Sequence, residues 1–158
     1  MIKKVLLFIG VILVSLQIYG ASSQVATESA QVSGKITKKI VEVITTVKKV
    51  DPDKVKSLYE TTHYIIRKTA HFLEFALLSF LVFLLAKCYN IKTGMCIFIS
   101  LGYCLLFAMF DEWHQLSVEG RSGEIKDVLI DFCGSIAGSA FSWFVLYFCK
   151  KIKYRKMT

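Results

Sequence analysis

Proline is almost missing from this chain: Pro52 is the single one among 158 residues. Long helices can therefore run unbroken, and a proline-rich linker between domains is excluded. Cysteine is present but unpatterned. Cys88, Cys96, Cys104, Cys133 and Cys149 make no C-x-x-C pair, and none falls in the two loops assigned below to the outer side. A disulfide framework or a cysteine zinc site is thus not expected, and these residues read as small apolar filler. There is no internal repeat, low-complexity tract, H-E-x-x-H or nucleophile elbow, which removes solenoids and the commonest motif-defined hydrolases.

What is abundant is apolar surface: 54% of residues are hydrophobic and 13% aromatic, with a mean hydropathy of +0.53. This composition belongs to a membrane chain. Apolar runs long enough to cross a hydrocarbon layer roughly 30 Å thick cover about 5–21, 69–86, 94–110 and 128–148. We expect one all-α membrane domain over 1–158, with four transmembrane helices. Met1-Ile2-Lys3-Lys4 before the first run resembles the start of a signal peptide, yet Tyr19-Gly20-Ala21 is a poor cleavage site. The first run is therefore expected to stay as an anchor.

The formal charge of +8 raises the question of nucleic acid, but its distribution speaks for topology instead. Lys3 and Lys4, Lys87 and Lys92, and Lys150, Lys151, Lys153, Arg155 and Lys156 all flank apolar ends on one common side. That side is assigned to the cytoplasm, with both termini, in a multi-pass protein of the cell membrane. The Asp111 to Asp127 connection, with five carboxylates against Arg121 and Lys126, falls on the opposite side together with the long first loop. Arg67 and Lys68, at the outer mouth of the second run, go against the rule and point to a role at that surface.

The first outer loop opens with a small, polar stretch, Ser22 to Ser29, expected to be extended. Ile36, Ile40, Val43, Ile44, Val47 and Val50 then recur at helical spacing, with Lys38, Lys39, Glu42 and Lys48 between them. This predicts an amphipathic helix over about 35–50, lying on the outer leaflet or on the spans. Asp51-Pro52-Asp53 ends it and starts another over about 53–68, which flows into the second span.

Polar groups collect at the outer ends of three spans. Lys68, His71 and Glu74 lie three apart on one flank of the second. Asp111, Glu112 and Gln115 continue the third by a turn, and Arg121 follows in the loop. Asp127 and Asp131 begin the fourth, on the face that carries Gly134 and Gly138, whose G-x-x-x-G spacing admits close helix packing. Each group alone has a structural explanation as a cap, a satisfied histidine or a paired charge, and Trp113 reads as an interfacial anchor. Their convergence marks a ligand-binding candidate, because ionisable groups at membrane depth are expensive to bury without purpose.

The same residues carry a resemblance. Arg67-Lys68-Thr69-Ala70-His71-Phe72-Leu73-Glu74-Phe75, Asp111-Glu112-x-x-Gln115, Gly120-Arg121 and Asp127-x-x-x-Asp131-x-x-Gly134-x-x-x-Gly138, in that order, resemble the VanZ-like family over nearly the whole chain. One departure is Asp131, where the family commonly has asparagine. The resemblance implies a small bacterial membrane protein, in a family named for a member associated with teicoplanin resistance and without a settled biochemical activity.

Three functions compete. The leading one is binding of a cell-envelope lipid or glycan-type ligand, a lipid-linked precursor or the glycopeptide itself, with Arg121 and Lys68 on its anionic groups. Asp111, Glu112, Gln115 and His71 would take hydroxyls or hold the cations. The second is a hydrolase or transferase acting on a lipid-linked substrate, with His71 and a carboxylate as acid and base. The third is a small transporter or ion relay through Glu74 and Asp131. No cofactor, resident metal or nucleic-acid partner is expected, beyond a divalent ion that the enzymatic alternative would admit; the bilayer itself is the expected partner.

Overall fold

Asp51 caps the longest helix by accepting a hydrogen bond from the Asp53 N–H, and Pro52 occupies the first turn, where its missing donor costs nothing. From there the chain runs without a break to Lys87, 36 residues or about 54 Å at 1.5 Å per residue. The computed structural model describes residues 1–23, 26–48, 51–118 and 123–155, with backbone alone for 26–32, 48, 153 and 154. Five helices account for nearly all of it: α1 (Ile2–Ser23), α2 (Ala26–Lys48), α3 (Pro52–Lys87), α4 (Thr93–Gln115) and α5 (Ile125–Arg155). The protein is an all-α membrane protein. Four of the helices, α1, α3, α4 and α5 through Ile152, are long and apolar enough to span a bilayer.

The small, polar stretch Ser22 to Ser29 departs from the extended loop expected of it. Ser22 and Ser23 finish α1, and α2 has begun by Ala26. Local hydrogen bonding explains the α1 end, because Ser23 Oγ donates back to the Tyr19 carbonyl at 2.7 Å and Ser22 finds a partner on α4. At the opposite end, α3 and α4 are joined by a tight turn in which Asn90 takes a positive φ of 59°. Lys87 Nζ closes that turn on the Ile91 carbonyl at 2.7 Å.

Large apolar side chains such as Leu6, Phe8, Phe98, Leu106 and Phe141 are exposed around the bundle, as lipid contact requires. The interior holds Phe75, Leu78, Val82, Cys104 and Ala108 alongside a seam of buried hydroxyls. Ser139 Oγ meets Ser79 Oγ at 2.7 Å and Ser100 Oγ at 2.8 Å, so α3, α4 and α5 join at one point. Without a hydrophobic drive between helices in lipid, such close packing and hydroxyl bonds hold the bundle. The tightest approach is of α5 on α3. A Cβ at Gly134 would overlap the Phe72 carbonyl oxygen, and one at Gly138 the Ala76 carbonyl oxygen.

The amphipathic α2 packs on α3 through Gly34, Thr37 and Val41, all buried. Its apolar stripe, Ile36, Ile40, Val43 and Val47, stays exposed. Of the two expected placements, the structure shows contact with α3, made along the N-terminal part of α3 near Tyr59 and His63.

Two measurements check this packing. Gly138→Ala should destabilise the protein in detergent unfolding by about 1–3 kcal/mol, the usual range for overpacking; unchanged stability would refute the close α3–α5 approach. Ser139→Ala removes two interhelical hydroxyl contacts and should lose about 1 kcal/mol, since each such bond in lipid is worth about 0.6.

Candidate functional site

The last turn of α4 is polar on the face that points into the bundle. Asp111 and Gln115, four residues apart, stack on that face, and Asp111, Glu112 and Gln115 are all buried. Trp113, between them in sequence, points outward and is exposed. The α1 end supplies the first partner: Ser22 Oγ donates to Asp111 Oδ2 at 2.7 Å. Gln115 Nε2 donates to the same oxygen at 2.9 Å and to Glu112 Oε1 at 3.2 Å. The α1 end is also held by His114, whose ring stacks on Tyr19 at 4.6 Å and whose Nε2 meets Ser23 Oγ at 3.0 Å.

Gly123 and Glu124, just before α5, lie against this turn. A Cβ at Gly123 would lie 2.6 Å from the Glu112 carbonyl oxygen, so only glycine admits the approach. It brings the Glu124 N–H to Glu112 Oε2 at 2.9 Å. One turn on, Asp127 forms an ion pair with Lys68 of α3. Asp131, a further turn into α5, is 1% exposed and within coulombic reach of Asp111, Glu112, Asp127 and Lys68.

Glu74 accepts from Gln17 Nε2 of α1 at 3.2 Å and feels the charge of Asp111. His71 is partly buried on the same helix. Among the residues read as site candidates, then, Lys68, Asp111, Glu112, Gln115, Asp127 and Asp131 are brought together where the middle of α3 meets the last turn of α4 and the first turns of α5, with Glu74 at their edge. Arg121 lies outside the described residues. Lys68 and Glu74 do not pair with each other: each has a partner on another helix. Ser22 and Gln17 are site residues that periodicity missed, and their signal is faint, two polar side chains five apart at the end of an apolar run.

The balance of donors and acceptors is uneven. The described donors that face the carboxylates are engaged, while Asp111 Oδ1 and both carboxylate oxygens of Asp131 are buried without a hydrogen-bond partner. Leaving such groups unpaired is costly, more so for carboxylates than for neutral acceptors. Among the described residues, no three His, Cys, Asp or Glu side chains are grouped to hold a metal ion. Beside the cluster, a groove of about 320 Å³ opens between α3 and α5, lined by Tyr64, Ile65, Lys68, Thr69, Phe72 and Ile130. Lys68 is common to groove and cluster. The arrangement is suited to receive hydrogen-bond donors, and its acidic groups are fixed by helices rather than by loops.

No curated protein and no solved structure matches this chain. A family model does: residues 5–147 match VanZ/LLP1, nearly the whole length, and the chain belongs to that family.

Proposed function

We propose that the protein binds a lipid or glycan-type ligand of the cell envelope in the polar cluster, on the extracytoplasmic side of the cell membrane. The observation that carries this reading is the set of buried, unpartnered acceptors on Asp111 and Asp131, held by two helices and bordered by an apolar groove. A fixed cluster of this kind next to lipid suits a ligand with a polar head and an apolar tail. The orientation rests on Lys3, Lys4, Lys87, Lys92, Lys150 and Lys151, which cluster at the opposite ends of the spans. Arg121, and Lys68 from within its ion pair with Asp127, are the residues assigned to anionic groups of the ligand. Capture of a lipid-linked precursor or of the glycopeptide itself would alter sensitivity to teicoplanin-type antibiotics.

Identification of the lipids that co-purify tests the binding. Wild-type protein should carry an enriched envelope lipid, and Arg121→Ala should retain about tenfold less, equivalent to roughly 1.4 kcal/mol. Equal lipid profiles and an unchanged antibiotic response in the variant would sink the reading. The orientation has its own check in a cysteine-free background. An impermeant maleimide added to intact cells should label Ser117→Cys and leave Asn90→Cys unlabelled; the reverse pattern would invert the topology.

A further inference from the structure

We propose that the ligand group received by the buried cluster is a protonated amine, seated between Asp131 and Asp111. This deepens the binding reading above and rests on it. Three of the four carboxylate oxygens on these two residues have no hydrogen-bond partner, and the two side chains are 1% and 0% exposed. The fourth oxygen, Asp111 Oδ2, is already taken by Ser22 and Gln115. Among the described residues the pair therefore lacks donors, and the cation within coulombic reach of Asp131, Lys68, is already paired with Asp127.

An ammonium group supplies both. It carries three donors and one positive charge on a compact centre, and its bonds to carboxylates are the strong, charge-assisted kind. A sugar hydroxyl offers a single donor and no charge, so it would leave two of the three unpartnered oxygens unfilled. A phosphate or carboxylate would meet acidic groups of its own sign, because Glu112 and Asp127 also act on Asp131. The protein's own nearby lysine does not fill this role, since Lys68 is committed to Asp127. Lys68 also lines the α3–α5 groove, so an amphiphile lying there has its polar end beside the cluster.

The amine has two natural sources, a lipid headgroup or the amino group of a sugar, and one experiment separates them. Protein in nanodiscs is titrated with phosphatidylethanolamine and its N-acetylated form, and separately with glucosamine and N-acetylglucosamine. At least tenfold tighter binding of the free amine in either pair is expected, and the pair showing it names the source. Asp131→Asn should abolish that preference while leaving the circular dichroism and the size-exclusion elution volume unchanged. Because this buried substitution can also disturb folding, Asp111→Asn is run beside it and should weaken the same preference. Equal binding of amine and N-acetyl forms would overturn the amine assignment and leave ligand binding intact. Binding of none of the four probes would also overturn it, and loss of the co-purified lipid enrichment above is the separate result that would remove the binding reading itself.

Discussion

Everything at the polar end of the bundle depends on how closely α5 lies against α3. Gly134 and Gly138 set that distance, because their missing side chains let the α3 backbone carbonyls of Phe72 and Ala76 come into contact with α5. In lipid, where helices gain little from hydrophobic burial against one another, such backbone contact is a principal source of packing. It also fixes register. With Gly138 on Ala76 and Gly134 on Phe72, the next turns bring Asp131 into the interior and Asp127 onto Lys68. The serine contacts among Ser79, Ser100 and Ser139 then bind α4 to the same pair.

The second consequence is electrostatic. Three helices deliver carboxylates to one depth, and the structure neutralises only some of them. Asp127 has Lys68; Glu112 has an amide N–H and Gln115; Glu74 has Gln17. Asp111 is half satisfied and Asp131 not at all. A fold that served packing alone would gain by replacing Asp131 with an apolar residue, since buried charges seldom add net stability. An incomplete polar cluster on rigid helices is what a binding site looks like before its ligand arrives.

Much of this was readable from the residues themselves. Length and hydropathy identify the four spans, the Asp51-Pro52 stop sets the start of α3, and the spacing of Asp127, Asp131, Gly134 and Gly138 predicts their common face. Other features depend on tertiary contacts that no periodicity encodes. Ser22 and Ser23 extend α1 rather than open a loop, because they find partners on α4 and on α1 itself, a satisfaction invisible in composition. The apolar stripe of α2 reads as the face that would pack on the bundle, and only the burial of Gly34, Thr37 and Val41 shows that a different face meets α3. Lys68 against Asp127 is likewise a choice among several acids within reach.

The claim at the centre is that Asp111 of α4 and Asp131 of α5 belong to one buried, electrically coupled site. A double-mutant cycle on unfolding free energy in bicelles, with Asp111→Asn, Asp131→Asn and the two combined, measures this directly. Coupling of about 0.5 kcal/mol or more between the substitutions is the expected result, as for charges in mutual reach. Additivity within about 0.3 kcal/mol would mean that the two carboxylates do not sense each other, and the site as described would not exist.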